Sequence, residues 1–112
     1  MTNSHVLEVK MIRHIVMWKF LPEAGGKTKD ENLEDVKARL MALYESGKIE
    51  GIRRMEIGRD VSGTDMSYDM VLLTEFDSLE ALHKYKVHPD HVVISNFVKT
   101  VRSARAVVDH EI

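Results

Sequence analysis

The sequence predicts an α+β protein, a four-stranded antiparallel sheet with its helices on one face. Three observations carry that expectation. Apolar residues alternate along four segments, at 11–20, 51–59, 68–76 and 104–112. Apolar residues recur at helical spacing between the first and second of these, and again between the third and fourth. The resulting order is strand, helix, strand, strand, helix pair, strand, with no linker or low-complexity segment, and its simplest packing is one helical layer on one sheet. At 112 residues the chain has the size of one domain, expected to occupy 11–112 behind a flexible N-terminal arm over 1–10.

The first strand runs from Met11 to Phe20. One of its faces carries Ile12, His14, Val16, Trp18 and Phe20, the other Met11, Arg13, Ile15, Met17 and Lys19. Pro22 and Gly25-Gly26 end it. Thr28-Lys29-Asp30-Glu31 has the form of a capping box and opens a helix whose stripe is Leu33, Val36, Leu40 and Leu43, stopped near Gly47. In the second strand Arg53, Met55 and Ile57 alternate against Ile52, Arg54 and Glu56. Residues 60–67 form a polar loop. The third strand has Met70, Leu72, Thr74 and Phe76 on one face, with Val71 and Leu73 on the other. Asp77 or Ser78 caps a short helix carrying Leu79, Leu82 and Tyr85. His88 precedes a proline and is biased out of helical angles, while Pro89 suits the first position of a third helix striped by Val93, Ile94, Phe97, Val98 and Val101. In the last strand Ala106 and Val108 alternate against Arg105, Val107 and Asp109.

Composition narrows the function. The chain is 44% hydrophobic and 30% charged, the balance of an ordinary globular protein, and its formal net charge of -2 comes with basic and acidic residues interspersed. A nucleic-acid partner would call for a concentrated basic face, so none is expected. The absence of cysteine removes thiolate catalysis and zinc–thiolate sites. No stretch has the length and apolarity to span a bilayer or to serve as a secretory signal, so no membrane partner is expected and the cytoplasm is the expected location.

One feature points to assembly. Helices cover a single face of the sheet, yet Ile15, Met17, Val71 and Leu73 load the other face as well. Burying a side chain of this size is worth roughly 1.5–3 kcal/mol, so a contiguous patch of them recruits a partner. The partner expected is a second copy, sheet against sheet.

The densest chemistry lies in Tyr85-Lys86-Val87-His88-Pro89-Asp90-His91, at the joint between the second and third helices. The motifs Met11-Ile12-Arg13-His14-Ile15-Val16-Met17-Trp18-Lys19-Phe20, Tyr85-x-x-His88-Pro89-x-His91 and Val107-Val108-Asp109-His110-Glu111 together resemble the stress-responsive dimeric α/β-barrel family, over nearly the whole chain. That resemblance implies a ferredoxin-like protomer that dimerises through its sheet into a barrel, in agreement with the burial argument. Within the family the branch of the plant olivetolic acid cyclase is similar at three positions. Its catalytic tyrosine corresponds to Tyr85, its catalytic histidine to His91, and a further pocket histidine to His14.

The residues themselves allow two readings. In the first, His91 lies in the first turn of its helix, where the helix dipole disfavours an imidazolium, so that it stays neutral and acts as a general base. Tyr85 then holds a substrate oxygen or the enolate developing from it, as an intramolecular aldol closure or an isomerisation requires. His14 faces His91 across a small-molecule pocket that His88 adjoins and Trp18, Phe76 and Phe97 wall. In the second reading His88 caps a helix, His91 bonds a backbone carbonyl, and His14 and the aromatics are core; the protein is then a non-catalytic structural stress protein. A cofactor-free monooxygenase is a third possibility, since that activity occurs on related barrels. His88 and His91 are three apart and Asp109, His110 and Glu111 are near one another, but His88 precedes its helix, so no metal site is expected, and no cofactor.

Overall fold

The computed structural model describes residues 9–112, so the arm expected over 1–10 lies, apart from Val9 and Lys10, outside the described residues. Strand β1 (Ile12–Phe20) is followed by two short strands, β2 (Glu23–Ala24) and β3 (Lys27–Thr28), and by helix α1 (Lys29–Glu45). Strands β4 (Ile52–Arg59) and β5 (Met70–Phe76), helices α2 (Leu79–Val87) and α3 (Pro89–Val101), and strand β6 (Arg102–Glu111) complete the chain. The main sheet is antiparallel throughout, in the order β4-β5-β1-β6. The four-stranded antiparallel sheet with helices on one face expected from alternation and order, and the ferredoxin-like protomer that the resemblance implies, are the architecture found.

Local chemistry explains the helix boundaries. Thr28 and Glu31 form the reciprocal capping box, with Glu31 N donating to Thr28 Oγ1 at 3.2 Å and Thr28 N donating to Glu31 Oε1 at 2.9 Å. Ser78, not Asp77, caps α2 by accepting from Ala81 N at 3.1 Å. Asp77 instead grips Arg53 through both carboxylate oxygens. The β2–β3 hairpin was not foreseen as strands. Gly25 and Gly26 both have positive φ, 61° and 77°, the pair of left-handed residues that a two-residue hairpin turn needs.

The core lies between the helices and one sheet face. Val16 and Phe20 of β1, Leu72 and Phe76 of β5, Leu33 and Val36 of α1, and Leu82 of α2 are all buried there. Two expected stripe residues are turned outward: Leu79 and Val93 are both exposed, because the second and third helices cover the sheet with narrower faces than their apolar content suggests. Irregular pairing changes two strands. A register shift between Ile52 and Arg54 sets Ile52 opposite Phe76, so Ile52 packs on the core with Met55 and Ile57, while Arg53, expected on that face, is exposed. A second shift, at Lys19/Phe20, starts β6 at Arg102 rather than Ala104.

The opposite sheet face carries no helix. Ile15 and Leu73 pair across strands at its centre and are half-buried. Around them Met17, Val71 and Val108 are 36%, 37% and 59% exposed. At the periphery Arg13 forks onto Glu75 at 2.9 and 3.0 Å. The result is an apolar centre with an ion-paired border.

Candidate functional site

Three elements bring the candidate residues together. His14 is at the middle of β1 on the helix-covered face and is buried. Tyr85 ends the buried stripe of α2, and His91 lies in the first turn of α3. The turn between those helices folds the two rings onto one another, with centroids 4.2 Å apart. His14 meets Tyr85 edge-on at 6.5 Å, and Phe76 packs against Tyr85 at 5.1 Å. The trio picked out by sequence is therefore one cluster.

A cavity of about 320 Å³ opens beside it, between sheet and α3. His14, His91 and Trp18 border it, with Val16, Leu72 and Ile94 among its apolar lining. Its remaining lining includes Lys86, Lys99, Arg102 and Arg105. Tyr85, although packed on His91, is not part of this lining, and the other expected wall residues lie elsewhere. Phe76 is fully buried core, and Phe97 lies under the Arg39 guanidinium, 3.9 Å from its ring centroid, outside the cavity lining. His88 caps α3, its Nδ1 accepting from Asp90 N at 3.1 Å, and faces a smaller cavity of about 210 Å³ that Tyr85 also borders.

Hydrogen bonds define the two facing imidazoles. His14 Nδ1 lies 2.5 Å from Asp109 Oδ1, and His91 Nδ1 lies 3.2 Å from the Lys86 carbonyl oxygen. Both oxygens accept, so each Nδ1 carries the hydrogen. Burial lowers the pKa of His14 below its ordinary value, against the raising effect of Asp109. Burial likewise lowers that of His91, against the raising effect of the Lys86 carbonyl. Burial thus acts at His91 in the same direction as the helix dipole expected from sequence. Each ring is then neutral near pH 7, with an Nε2 lone pair that no protein donor occupies among the described residues.

Tyr85 is the exception to the rule that buried polar groups are bonded. It is 1% exposed, and its hydroxyl has no hydrogen-bond partner among the described residues. Burial raises its pKa well above the phenol range, so it remains a protonated donor. Among the described residues no three of His, Asp and Glu converge as a metal set.

Sequence reasoning overlooked the polar half of the site. Asp109 was considered there only as a metal ligand, and Lys86, Lys99, Arg102 and Arg105 not as site residues. The signal for two of them was present: Arg105 and Asp109 alternate on the face of β6 opposite Trp18 and His14. Arg102 was concealed by the irregular start of that strand.

Comparison with known proteins gives three kinds of match. The family model for the stress responsive A/B barrel domain matches residues 12–112. An uncharacterized protein of Streptomyces coelicolor, SCO4036, is 35% identical over 81 residues, 72% of this chain and 79% of that protein. Among solved structures, a dimeric protein of unknown function and ferredoxin-like fold from Bacteroides fragilis is 29% identical, with a TM-score of 0.78 over 91% of this chain and 96% of its own. The hydroxynitrile lyase of Passiflora edulis shares the fold at a TM-score of 0.78, over 94% of this chain and 95% of its own, with 12% identity.

Proposed function

Since the chain belongs to the stress-responsive A/B barrel domain family, we propose that it is a cytoplasmic homodimer, joined through its open sheet faces, whose cavity binds a small apolar or aromatic molecule and promotes proton transfer on it without a cofactor. The observation that carries this reading is the cavity of about 320 Å³ bordered by two neutral imidazoles. A void of a few hundred cubic ångströms with apolar walls and a few convergent polar groups has the make-up of a small-molecule site. The dimeric state of the Bacteroides fragilis protein, 29% identical, supports the assembly, as does the apolar centre of the uncovered sheet face.

In this reading His91 Nε2 removes a proton from a carbon beside a substrate carbonyl, and Tyr85, packed on His91 but outside the lining of this cavity, would turn its hydroxyl to donate to the oxygen on which the negative charge develops. The enolate carbon then attacks a second carbonyl of the same molecule, closing a ring whose new alkoxide takes the proton back from His91, or is reprotonated by His91 at another position as in an isomerisation. His14, oriented by Asp109, faces the opposite side of the bound molecule. The Tyr85 hydroxyl has no protein partner among the described residues to give up, so a substrate oxygen would relieve it of an unmet hydrogen bond.

The test is a ligand screen by thermal shift with aromatic and apolar carbonyl compounds, followed by turnover of the best binders. Tyr85→Phe and His91→Ala are expected to abolish turnover while the dimer stays folded. The competing reading, in which the histidines are structural, draws on the bonds that hold both rings. It would prevail if no compound stabilised the protein and His91→Ala merely lowered its melting temperature.

A further inference from the structure

The geometry points to an anionic head group on the cavity's ligand, a carboxylate or phosphate held by Arg102 and Arg105 at the β6 side of the cavity. This rests on the reading of the cavity as a ligand site and adds the chemical class of what enters it. The chain has seven arginines. Arg13, Arg39, Arg53, Arg54 and Arg59 each lie against a carboxylate at 2.6–2.9 Å. The two that have no carboxylate partner among the described residues, Arg102 and Arg105, both line the cavity.

Lys99, also in the lining, has no ion-pair partner among the described residues either, and Lys86 reaches Asp109 only at 3.8 Å. Four cations thus border one cavity in a protein whose formal net charge is -2. Asp109, the acid beside them, bonds the neutral His14 ring at 2.5 Å and offsets one of the four charges, leaving an excess of three. Cations left unmatched around a concave, partly apolar space attract an anion and raise its local concentration. Arginine forks suit planar or tetrahedral oxyanions better than they suit a neutral oxygen.

The backbone brings these two arginines to one side. Positions 102 and 105 are three apart, so strict strand alternation would send them to opposite faces of the sheet. The register shift at Lys19/Phe20 removes that conflict: Arg102 pairs with Phe20 and Arg105 with Trp18, both on the helix-covered face. Ser103 is the residue left without a β1 partner. Irregularities of this kind re-aim side chains next to binding sites. The ligand that fits has an apolar body against Trp18, Leu72 and Ile94 and an acidic end toward β6.

Titration calorimetry on the full chain with octanoate, octyl phosphate and octanol tests this, because the three share one tail and differ in the head. At least one anion is expected to bind roughly tenfold or more tightly than octanol, the size of one charge-assisted hydrogen bond. The tighter anion identifies the head group. Arg102→Gln and Arg105→Gln should each erase roughly that advantage and leave octanol binding unchanged, while Arg105→Lys retains part of it. Raising salt on the unaltered protein should weaken anion binding alone, a readout independent of how the variants fold. Equal binding of all three compounds would overturn the anionic head and leave the cavity as a ligand site. Failure of all three to bind would overturn both.

Discussion

Tyr85 is where folding and chemistry ask for different side chains. A buried hydroxyl without a partner costs about 1–3 kcal/mol, and this one has none among the described residues. Tyr85→Phe is therefore expected to raise the melting temperature by several degrees while removing ligand turnover; an unchanged or lowered midpoint in calorimetry would contradict the unmet bond. His14 and His91 add a pH dependence of definite sign. Burial holds both below the ordinary histidine value of 6.5, so the unfolded chain takes up protons where the folded chain does not. Stability is full above pH 6.5, declines as the pH falls from 6.5 toward the lowered folded-state values, and levels off once both states are protonated. Urea midpoints at pH 7.5 and 5.5 should reveal that decline, and His14→Gln with His91→Gln should flatten it. The placement of these histidines was legible in the sequence, one within an apolar strand and one just after a proline. Their hydrogen-bond partners were not, because Asp109 is far from His14 along the chain and only strand register joins them.

At the scale of elements, the joints control the site more than the helices do. His88 ends α2 and begins α3, its ring nitrogen accepting from Asp90 N, and this fixes where His91 points. His88→Ala should cost about 0.5–2 kcal/mol, the usual worth of such a cap, and should loosen the tilted Tyr85–His91 ring contact that NMR ring-current shifts report. Gly51 is a second such joint. It has a φ of 78°, and a Cβ there would lie 2.8 Å from the Ala81 Cβ, so Gly51→Ala forces β4 and α2 apart. The left-handed backbone alone costs about 1–2 kcal/mol, and denaturant unfolding should register at least that loss. Helix positions were readable because capping boxes and prolines act locally. Where β4 and β6 change face was not, since Ile52 and Arg102 owe their orientation to shifts in pairing with neighbouring strands, which alternation within one strand cannot encode.

For the whole molecule the decisive surface is the uncovered face of the sheet. Ile15, Met17, Val71, Leu73 and Val108 form one patch across three adjacent strands. That both faces are apolar was visible in the strand sequences, and a four-stranded antiparallel sheet followed from the sequence of elements, though not the lateral order of its strands. Which protein covers the second face could be argued only from its chemistry and from the family. Met17→Glu puts a carboxylate beside the patch centre and is expected to convert the proposed dimer to a monomer in sedimentation velocity, with the helix-covered core intact by circular dichroism. A dimer that persists would relocate the assembly surface. If two copies do shelter one another here, folding becomes a second-order reaction in protein concentration. The thermal midpoint should then climb as the solution is made more concentrated, so expression level itself becomes a stabilising agent.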